Sequence, residues 1–156
     1  MAADSPLFLD TNVLLCATDT TREHHEESIA LLRAAGIPLS LSGQVLREYL
    51  AVATRPPEVN GLGLDPAGAI SNVEQVCGRA ALLEETERVW DELVELVRRH
   101  SLKGKRIHDA NIAATAIVHG QEGIATLNPS DFDFLNDEPE HPRILFPAQA
   151  LAIARA

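Results

Sequence analysis

The sequence is poor in cysteine and has no long apolar run. Its two cysteines, Cys16 and Cys77, fall in apolar, helix-like surroundings and form no CxxC pair, which favours buried reduced thiols over a disulfide or zinc site. No apolar stretch approaches membrane-spanning length, and the first residues, "MAADSPLF", lack the basic and apolar regions of a signal peptide. These absences predict a soluble cytoplasmic protein that does not associate with a membrane.

Basic residues are also scarce. The chain has 13 Lys and Arg against 23 Asp and Glu, a formal net charge of −10. This balance argues against a protein that coats nucleic acid, because such proteins neutralise phosphates with a basic surface. It does not exclude a nuclease, which can place metal ions over an acidic pocket and keep its basic residues local.

Several common catalytic patterns are missing as well. There is no Gly-rich phosphate loop and no Ser-His-Asp order. The spacings of the six histidines match no usual zinc-ligand pattern. The sequence also has no low-complexity tract and no internal repeat, so disorder and solenoid folds are not expected.

What is present indicates a single globular domain over residues 1–156, since 46% of the residues are hydrophobic and the length suffices for a core. Apolar runs bounded by turn residues predict strands at "LFL", "IPLSLS", "GIATL" and "RILF". Helical periodicity predicts helices over Arg22–Ala35, "GQVLREYLAVAT", Pro66–Arg79, Glu87–His100 and "IHDANIAATAIVHG". Strands separated by helices pair in parallel, so we predict an α/β protein, a three-layer α/β/α sandwich with a central parallel sheet.

Four acidic residues stand out against this pattern, and each has a structural interpretation. Asp10 follows the first strand and could cap the next helix, Asp109 could cap its own helix, and Asp131 could open a turn. Glu48 lies at the border of the apolar arc of its helix, while Arg47 points away, so a solvated flank is an alternative for it.

The same four residues also permit a functional interpretation. Asp10 and Asp131 both follow apolar strands, and the carboxyl ends of parallel strands meet at one edge of the sheet. Carboxylates gathered there repel one another and need a hard divalent cation such as Mg²⁺ or Mn²⁺. Such an ion activates water and stabilises charge on a phosphoryl group, which makes phosphodiester hydrolysis the natural reaction.

The motifs "FLDTNVLL", "REYL", "HDANIAA" and "TLNPSDF" resemble, in order, those of the PIN domain family, and within it the VapC-type toxins of bacterial toxin–antitoxin pairs. The resemblance implies a Mg²⁺- or Mn²⁺-dependent endoribonuclease with a PIN-like fold. It implies Asp10 and Asp109 as metal ligands, with Glu48 completing an acidic triad. It also implies an RNA substrate, a cognate antitoxin that neutralises the toxin, and a homodimer.

The resemblance leaves open the roles of some residues within these motifs. Some members of the family carry an aspartate where this chain has Asn128, which leaves Asp131 as the candidate for the fourth acid. Asn12 resembles the small polar residue that the family has beside its first acid, where it holds a water molecule or the acid itself, here Asp10. Asn12 could also cap the helix that follows the first strand. The number of metal ions stays open.

A local basic segment offers a path for substrate. Five of the 13 basic residues lie within "RRHSLKGKR", directly before His108 and Asp109. A preference of cations for a helix C-terminus explains Arg98 and Arg99. It does not explain the last three residues of the segment, for which we predict contact with the RNA backbone: Lys103, Lys105 and Arg106.

Two alternative functions are compatible with parts of this pattern. A haloacid-dehalogenase-type phosphatase also begins with an apolar strand and an aspartate, but it needs a second acid where this chain has Asn12. A non-catalytic PIN-like interaction module would keep the fold and lose the acids, whereas Asp10, Glu48 and Asp109 are all retained.

Overall fold

A computed structural model describes residues 5–155, with side chains described as far as residue 153. It contains a five-stranded sheet in the order β3-β2-β1-β4-β5, with every neighbouring pair parallel. The strands are β1 (Leu7–Leu9), β2 (Leu39–Ser42), β3 (Ala80–Leu83), β4 (Gly123–Ala125) and β5 (Arg143–Leu145).

The helices between the first four strands are α1 (Thr11–Thr18), α2 (His25–Arg33), α3 (Gly43–Thr54), α4 (Pro66–Cys77), α5 (Glu87–His100) and α6 (Arg106–Val118), and α7 (Pro147–Arg155) follows β5. A 3₁₀ segment lies at Pro57–Val59, and another, Pro129–Asp137, connects β4 to β5. Helix α1 packs on α2 and α3, whereas α5 packs on α6. The predicted α/β/α sandwich with a central parallel sheet is therefore confirmed.

The register of the central strands fixes the position of the candidate site. Strand β1 is fully buried, and it pairs with β2 on one side and β4 on the other. Leu9 is the last residue of β1 and lies opposite Ala125, the last residue of β4. Asp10 therefore leaves the sheet at its carboxyl edge, beside the segment that leads from β4 towards Asp131.

Three local expectations need correction. No strand was predicted at β3, whose sequence "AALL" is too short and too exposed at the sheet edge to show a pattern. Helix α2 begins at His25 rather than Arg22, because His24 has the left-handed backbone angle φ = 67°. Cys16 is buried as predicted, but Cys77 is exposed, and both are free thiols.

Helices α3 and α5 have the predicted bounds. Within residues 5–155, no helix has the length and apolarity needed to cross a membrane.

Candidate active site

Asp10 is a buried acid held by three hydrogen-bond donors. It is 7% exposed and is the N-cap residue of α1. Its Oδ1 accepts from the backbone N–H of Thr11 at 2.7 Å. Its Oδ2 accepts from the Asn12 side-chain amide at 3.0 Å and from the Thr126 hydroxyl at 2.8 Å. The capping role is thus confirmed, but it uses only one of the two carboxylate oxygens.

Asn12 and Thr126 join the ends of β1 and β4 around Asp10. Besides its bond to Asp10, the Asn12 amide nitrogen donates to the Thr126 hydroxyl at 3.1 Å, and its oxygen accepts from the backbone N–H of Leu127 at 3.0 Å. The side chain of Asn12 therefore orients Asp10, as one of its two sequence interpretations held, and does not cap the helix.

Burial is the main influence on the acidity of Asp10. Desolvation raises its pKa to about 6; hydrogen bonds from Thr126 and Thr11 oppose the rise, and the charges of Asp109 and Glu48 add to it. A carboxylate in this position carries a charge that the folded chain stabilises less well than water does.

Glu48 reaches the same edge of the sheet from α3. Its Oε2 accepts from the Thr11 hydroxyl at 3.0 Å, next to Asp10, and its Oε1 accepts from the Gln44 amide at 2.7 Å. Glu48 is half-buried, whereas Arg47 is exposed, which agrees with the helical wheel. The structure thus places Glu48 over the end of the sheet and not on a solvated flank.

Asp109 lies in the first turn of α6, but it does not cap that helix, because the N-cap residue is Lys105. The capping interpretation of Asp109 was wrong. The pKa of Asp109 is raised to about 6, first by partial burial and then by the charges of Asp131 and Glu48, while Lys105 and Arg106 oppose the rise.

Asp131 belongs to the same group of charges. It is half-buried in the 3₁₀ segment after β4, where its backbone N–H donates to the carbonyl of Asn128 at 3.0 Å. Of the neighbouring charges that raise the pKa of Asp109, that of Asp131 has the largest effect, whereas the neutral Asn128 is exposed. Asp131 is therefore the fourth carboxylate of the cluster by position.

The basic residues before Asp109 have different environments. Arg106 pairs with Asp133 and lies 5.6 Å from the ring centre of Phe134. Lys103 and Lys105 are exposed and form no salt bridge within the described chain.

The sequence interpretation missed a set of side chains that contact the acids directly or through one another: Gln44, Glu85, Asn111 and Thr126. Gln44 precedes Glu48 by one helical turn, a spacing that signals contact along one helix face. The Asn111 amide donates to Gln44 and to Glu85, at 2.7 Å and 2.6 Å. The contacts of Asn111 join residues that are far apart in the chain, so no local sequence pattern predicts them.

The donor chemistry of the four acids suits a hard divalent cation. Asp10, Glu48, Asp109 and Asp131 offer oxygen ligands alone, the type that Mg²⁺ and Mn²⁺ take together with water. None of the four forms a salt bridge among the described residues, and their mutual repulsion is the kind that a bound cation relieves.

The side-chain positions themselves do not form a ready-made metal site. Across the described chain, no group of three or more His, Cys, Asp or Glu side chains is placed to hold an ion. The oxygens of Asp10 and Glu48 are all engaged by hydrogen-bond donors. The fit to Mg²⁺ or Mn²⁺ therefore rests on ligand type and charge.

Similar folds occur in several solved structures. VapBC2 from Rickettsia felis, bound to a DNA fragment from their promoter, matches with a TM-score of 0.65 and 17% identity, over 90% of this chain and 98% of that chain. Mycobacterium tuberculosis VapC20, described as a sarcin-ricin loop cleaving toxin, matches with a TM-score of 0.64 and 16% identity, over 85% and 95%. DNA-bound VapBC from Salmonella typhimurium matches with a TM-score of 0.61 and 22% identity, over 92% and 98%.

A comparison with curated protein sequences finds no match. The sequence profile of the PIN domain, in contrast, matches residues 7–135, a span that contains all four acids and most of the chain. Together with the parallel sheet and the acidic cluster at its carboxyl edge, this match shows that the chain belongs to the PIN domain family.

Proposed function

We propose that this PIN domain protein is a Mg²⁺- or Mn²⁺-dependent endoribonuclease that acts as a toxin. The observation that supports this most directly is the gathering of four carboxylates at the carboxyl edge of the sheet, two of them with pKa values raised to about 6. The similarity to the sarcin-ricin loop cleaving toxin VapC20 supports RNA as the substrate.

In this proposal the four acids have distinct roles. Asp10 and Asp109 are the principal metal ligands, and Glu48 and Asp131 complete the acidic cluster. Asn12 and Thr126 hold Asp10 in place through the hydrogen bonds to its Oδ2. The bound ion would supply an activated water and charge stabilisation at the scissile phosphate.

RNA binding is assigned to the segment before α6. Lys103 and Lys105 are exposed and lead directly to Asp109, and the charge of Lys105 acts on that carboxyl group. Arg106 is also a candidate for phosphate contact, but it must exchange its pairing with Asp133 for the substrate. The two lysines are therefore the first residues to test.

A cognate antitoxin and a second copy of the chain are the proposed protein partners. Several similar structures are toxin–antitoxin complexes, such as the one from Klebsiella pneumoniae, which supports an antitoxin partner here. The excess negative charge at the site favours an antitoxin that places an Arg or Lys near the carboxylates, since a guanidinium pairs with a carboxylate bidentately. Co-expression with the product of an adjacent gene should then block cleavage.

The decisive experiment is an RNA cleavage assay on the purified protein with Mg²⁺, with Mn²⁺ and with EDTA. We expect cleavage with either metal, none with EDTA, and none for Asp10→Asn. Asp19→Asn is the matched control, because Asp19 is an aspartate at the other end of α1. Equal cleavage by wild type and Asp10→Asn with unchanged metal dependence would refute the assignment.

The same assay separates the remaining alternatives. A non-catalytic interaction module would bind RNA or protein without cleaving RNA under any metal condition. A small phosphomonoester substrate tests the phosphatase alternative, which the structure disfavours because the residue two positions after Asp10 is Asn12, whose amide donates to Asp10.

A further inference from the structure

Gln44 connects the two helices that carry Glu48 and Asp109. It is 5% exposed and lies in the first turn of α3. Its amide nitrogen donates to Glu48 Oε1 at 2.7 Å and to the backbone carbonyl of His108 at 3.0 Å. His108 directly precedes Asp109 on α6. One amide group therefore contacts a carboxylate of the cluster and the backbone beside another.

The orientation of this amide is determined by its partners. Oε1 of Glu48 and the carbonyl oxygen of His108 are both acceptors, so the nitrogen of Gln44 faces both. The oxygen of Gln44 accepts from the Asn111 amide at 2.7 Å. A flipped amide would turn its oxygen towards two acceptors and its nitrogen towards a donor, so all three bonds would be lost.

Glu85 secures the other end of this arrangement. Its Oε1 accepts from the Asn111 amide at 2.6 Å, and its Oε2 accepts from the backbone N–H of Gln44 at 3.2 Å. Glu85 lies between β3 and α5, so a residue outside the acidic cluster holds the start of α3 and the side chain of Asn111 together. Hydrogen bonds therefore connect Glu85 to Asn111, Asn111 to Gln44, and Gln44 to Glu48 without a break.

We propose that Gln44 is a positioning residue, which fixes the carboxylate of Glu48 relative to α6 and so holds one of the acids that would contact a divalent cation. This inference rests on the proposed metal-dependent function and deepens it. Asn111 and Glu85 hold the Gln44 amide in the orientation that this requires. Thr11 is the other donor to Glu48, and by itself it leaves Oε1 of that carboxylate without a partner.

The test replaces Gln44 with methionine, which keeps the length of the side chain and removes the amide. Mn²⁺ binding is measured by electron paramagnetic resonance without RNA. We expect the Kd for Mn²⁺ to rise about 10- to 100-fold, the range seen when residues that orient metal ligands are lost. In RNA cleavage, kcat should fall while KM changes little.

The chain offers a matched control in Gln121, a second buried glutamine at 9% exposure. Its Oε1 accepts a hydrogen bond from the Ser40 hydroxyl, and its amide nitrogen donates to the carbonyl of His119 at 3.2 Å. Gln121 lies just before β4, away from the carboxyl edge of the sheet. Gln121→Met should lower the melting temperature without changing the Kd for Mn²⁺. A similar rise in Kd for both variants would mean that any lost buried amide loosens the site, and would overturn the proposal.

A double-mutant cycle separates positioning from general support. If Gln44 acts through Glu48, then Gln44→Met should have no further effect on the Kd in a Glu48→Gln background. A full additional effect in that background would contradict the proposal. Should Gln44→Met fail to fold, Asn111→Ala replaces it, since Asn111 is half-buried on α6 and its loss frees the Gln44 amide. A smaller rise in Kd is then expected, again only when Glu48 is present.

The outcomes for wild type distinguish this proposal from the one it rests on. If the wild-type protein neither binds Mn²⁺ nor cleaves RNA, the proposed function fails, and the role of Gln44 fails with it. If the wild type does both and Gln44→Met keeps the wild-type Kd and kcat, the function stands and Gln44 is an ordinary structural residue.

Discussion

Replacing Asp10 with asparagine should stabilise the folded chain at alkaline pH while abolishing activity. The carboxylate is 7% exposed, and burial raises its pKa from 3.8 to about 6. Because the folded chain binds the proton more tightly than the unfolded chain, ionisation of Asp10 opposes folding. This cost is absent below a pH of about 4, grows between pH 3.8 and about 6, and is complete above pH 7.

The size of the effect follows from the pKa difference and the lost hydrogen bonds. Ionisation of Asp10 costs roughly 3 kcal/mol above pH 7. Asparagine removes that charge, but its single acceptor oxygen cannot serve both the Thr11 N–H and the Asn12 amide, which costs about 1–1.5 kcal/mol. We therefore expect a net gain of about 1–2 kcal/mol at pH 8 and a loss of about 1 kcal/mol at pH 4.

Urea denaturation in EDTA at pH 8 and pH 4 measures this reversal of sign. In melting temperature, the gain at pH 8 corresponds to roughly 2–8 °C for a chain of this size. Asp19→Asn is the control with the opposite sign, because hydrogen bonds from Thr21 lower the pKa of Asp19. Its carboxylate stabilises the fold at neutral pH and loses that contribution as the pH falls through its lowered pKa.

Two outcomes would refute the reasoning. Destabilisation by Asp10→Asn at pH 8 as well as pH 4 would show that the hydrogen bonds outweigh the cost of ionisation. A gain that is the same at both pH values would show that the buried charge is not its source.

Three further predictions concern the site and its substrate path. Asp109→Asn should abolish RNA cleavage and give a smaller gain in stability at pH 8 than Asp10→Asn, because Asp109 is more exposed; activity and urea assays check this. Lys103→Ala with Lys105→Ala should weaken RNA binding and reduce its log–log salt slope by about 1.4, or about 0.7 per lost contact on single strands, with little change in the rate at saturating RNA. Arg106→Ala should change the salt slope less than the two lysines do, because Asp133 already pairs with that guanidinium.

The sequence predicted those parts of the fold whose signals are local. Helices α3 and α5 have the predicted bounds because their apolar faces repeat clearly and strong signals end them, such as Pro56 and Pro57 after α3. Strand β3 was not predictable in this way. Its four residues pair with β2 in register from Leu39↔Ala80 to Ser42↔Leu83, and that pairing depends on α3 and α4 bringing the segments together.

The candidate site also has one part that the sequence predicts and another part that it does not. Its acids could be proposed from the sequence because they lie in four motifs whose order matches that of a family and because two of them follow apolar strands. The side chains that hold them could not, since Thr126 lies 116 residues from Asp10 and Asn111 lies 67 residues from Gln44. Amides and hydroxyls are common in helices and turns, and only the folded chain shows which of them face a carboxylate.

The net charge of −10 is compatible with an RNA substrate once the distribution of the basic residues is considered. Many arginines are engaged within the chain: salt bridges or hydrogen bonds hold Arg22, Arg47, Arg79, Arg98, Arg99 and Arg106. Neighbouring acids partly neutralise all of these charges except that of Arg79, which donates to the backbone carbonyls of Ala34 and Ile37, so the paired arginines add little to a field that attracts phosphate. Lys103 and Lys105 are exposed without such partners and directly precede α6, and the charge of Lys105 acts on Asp109, so part of the unpaired positive charge lies next to the carboxylates of the proposed site.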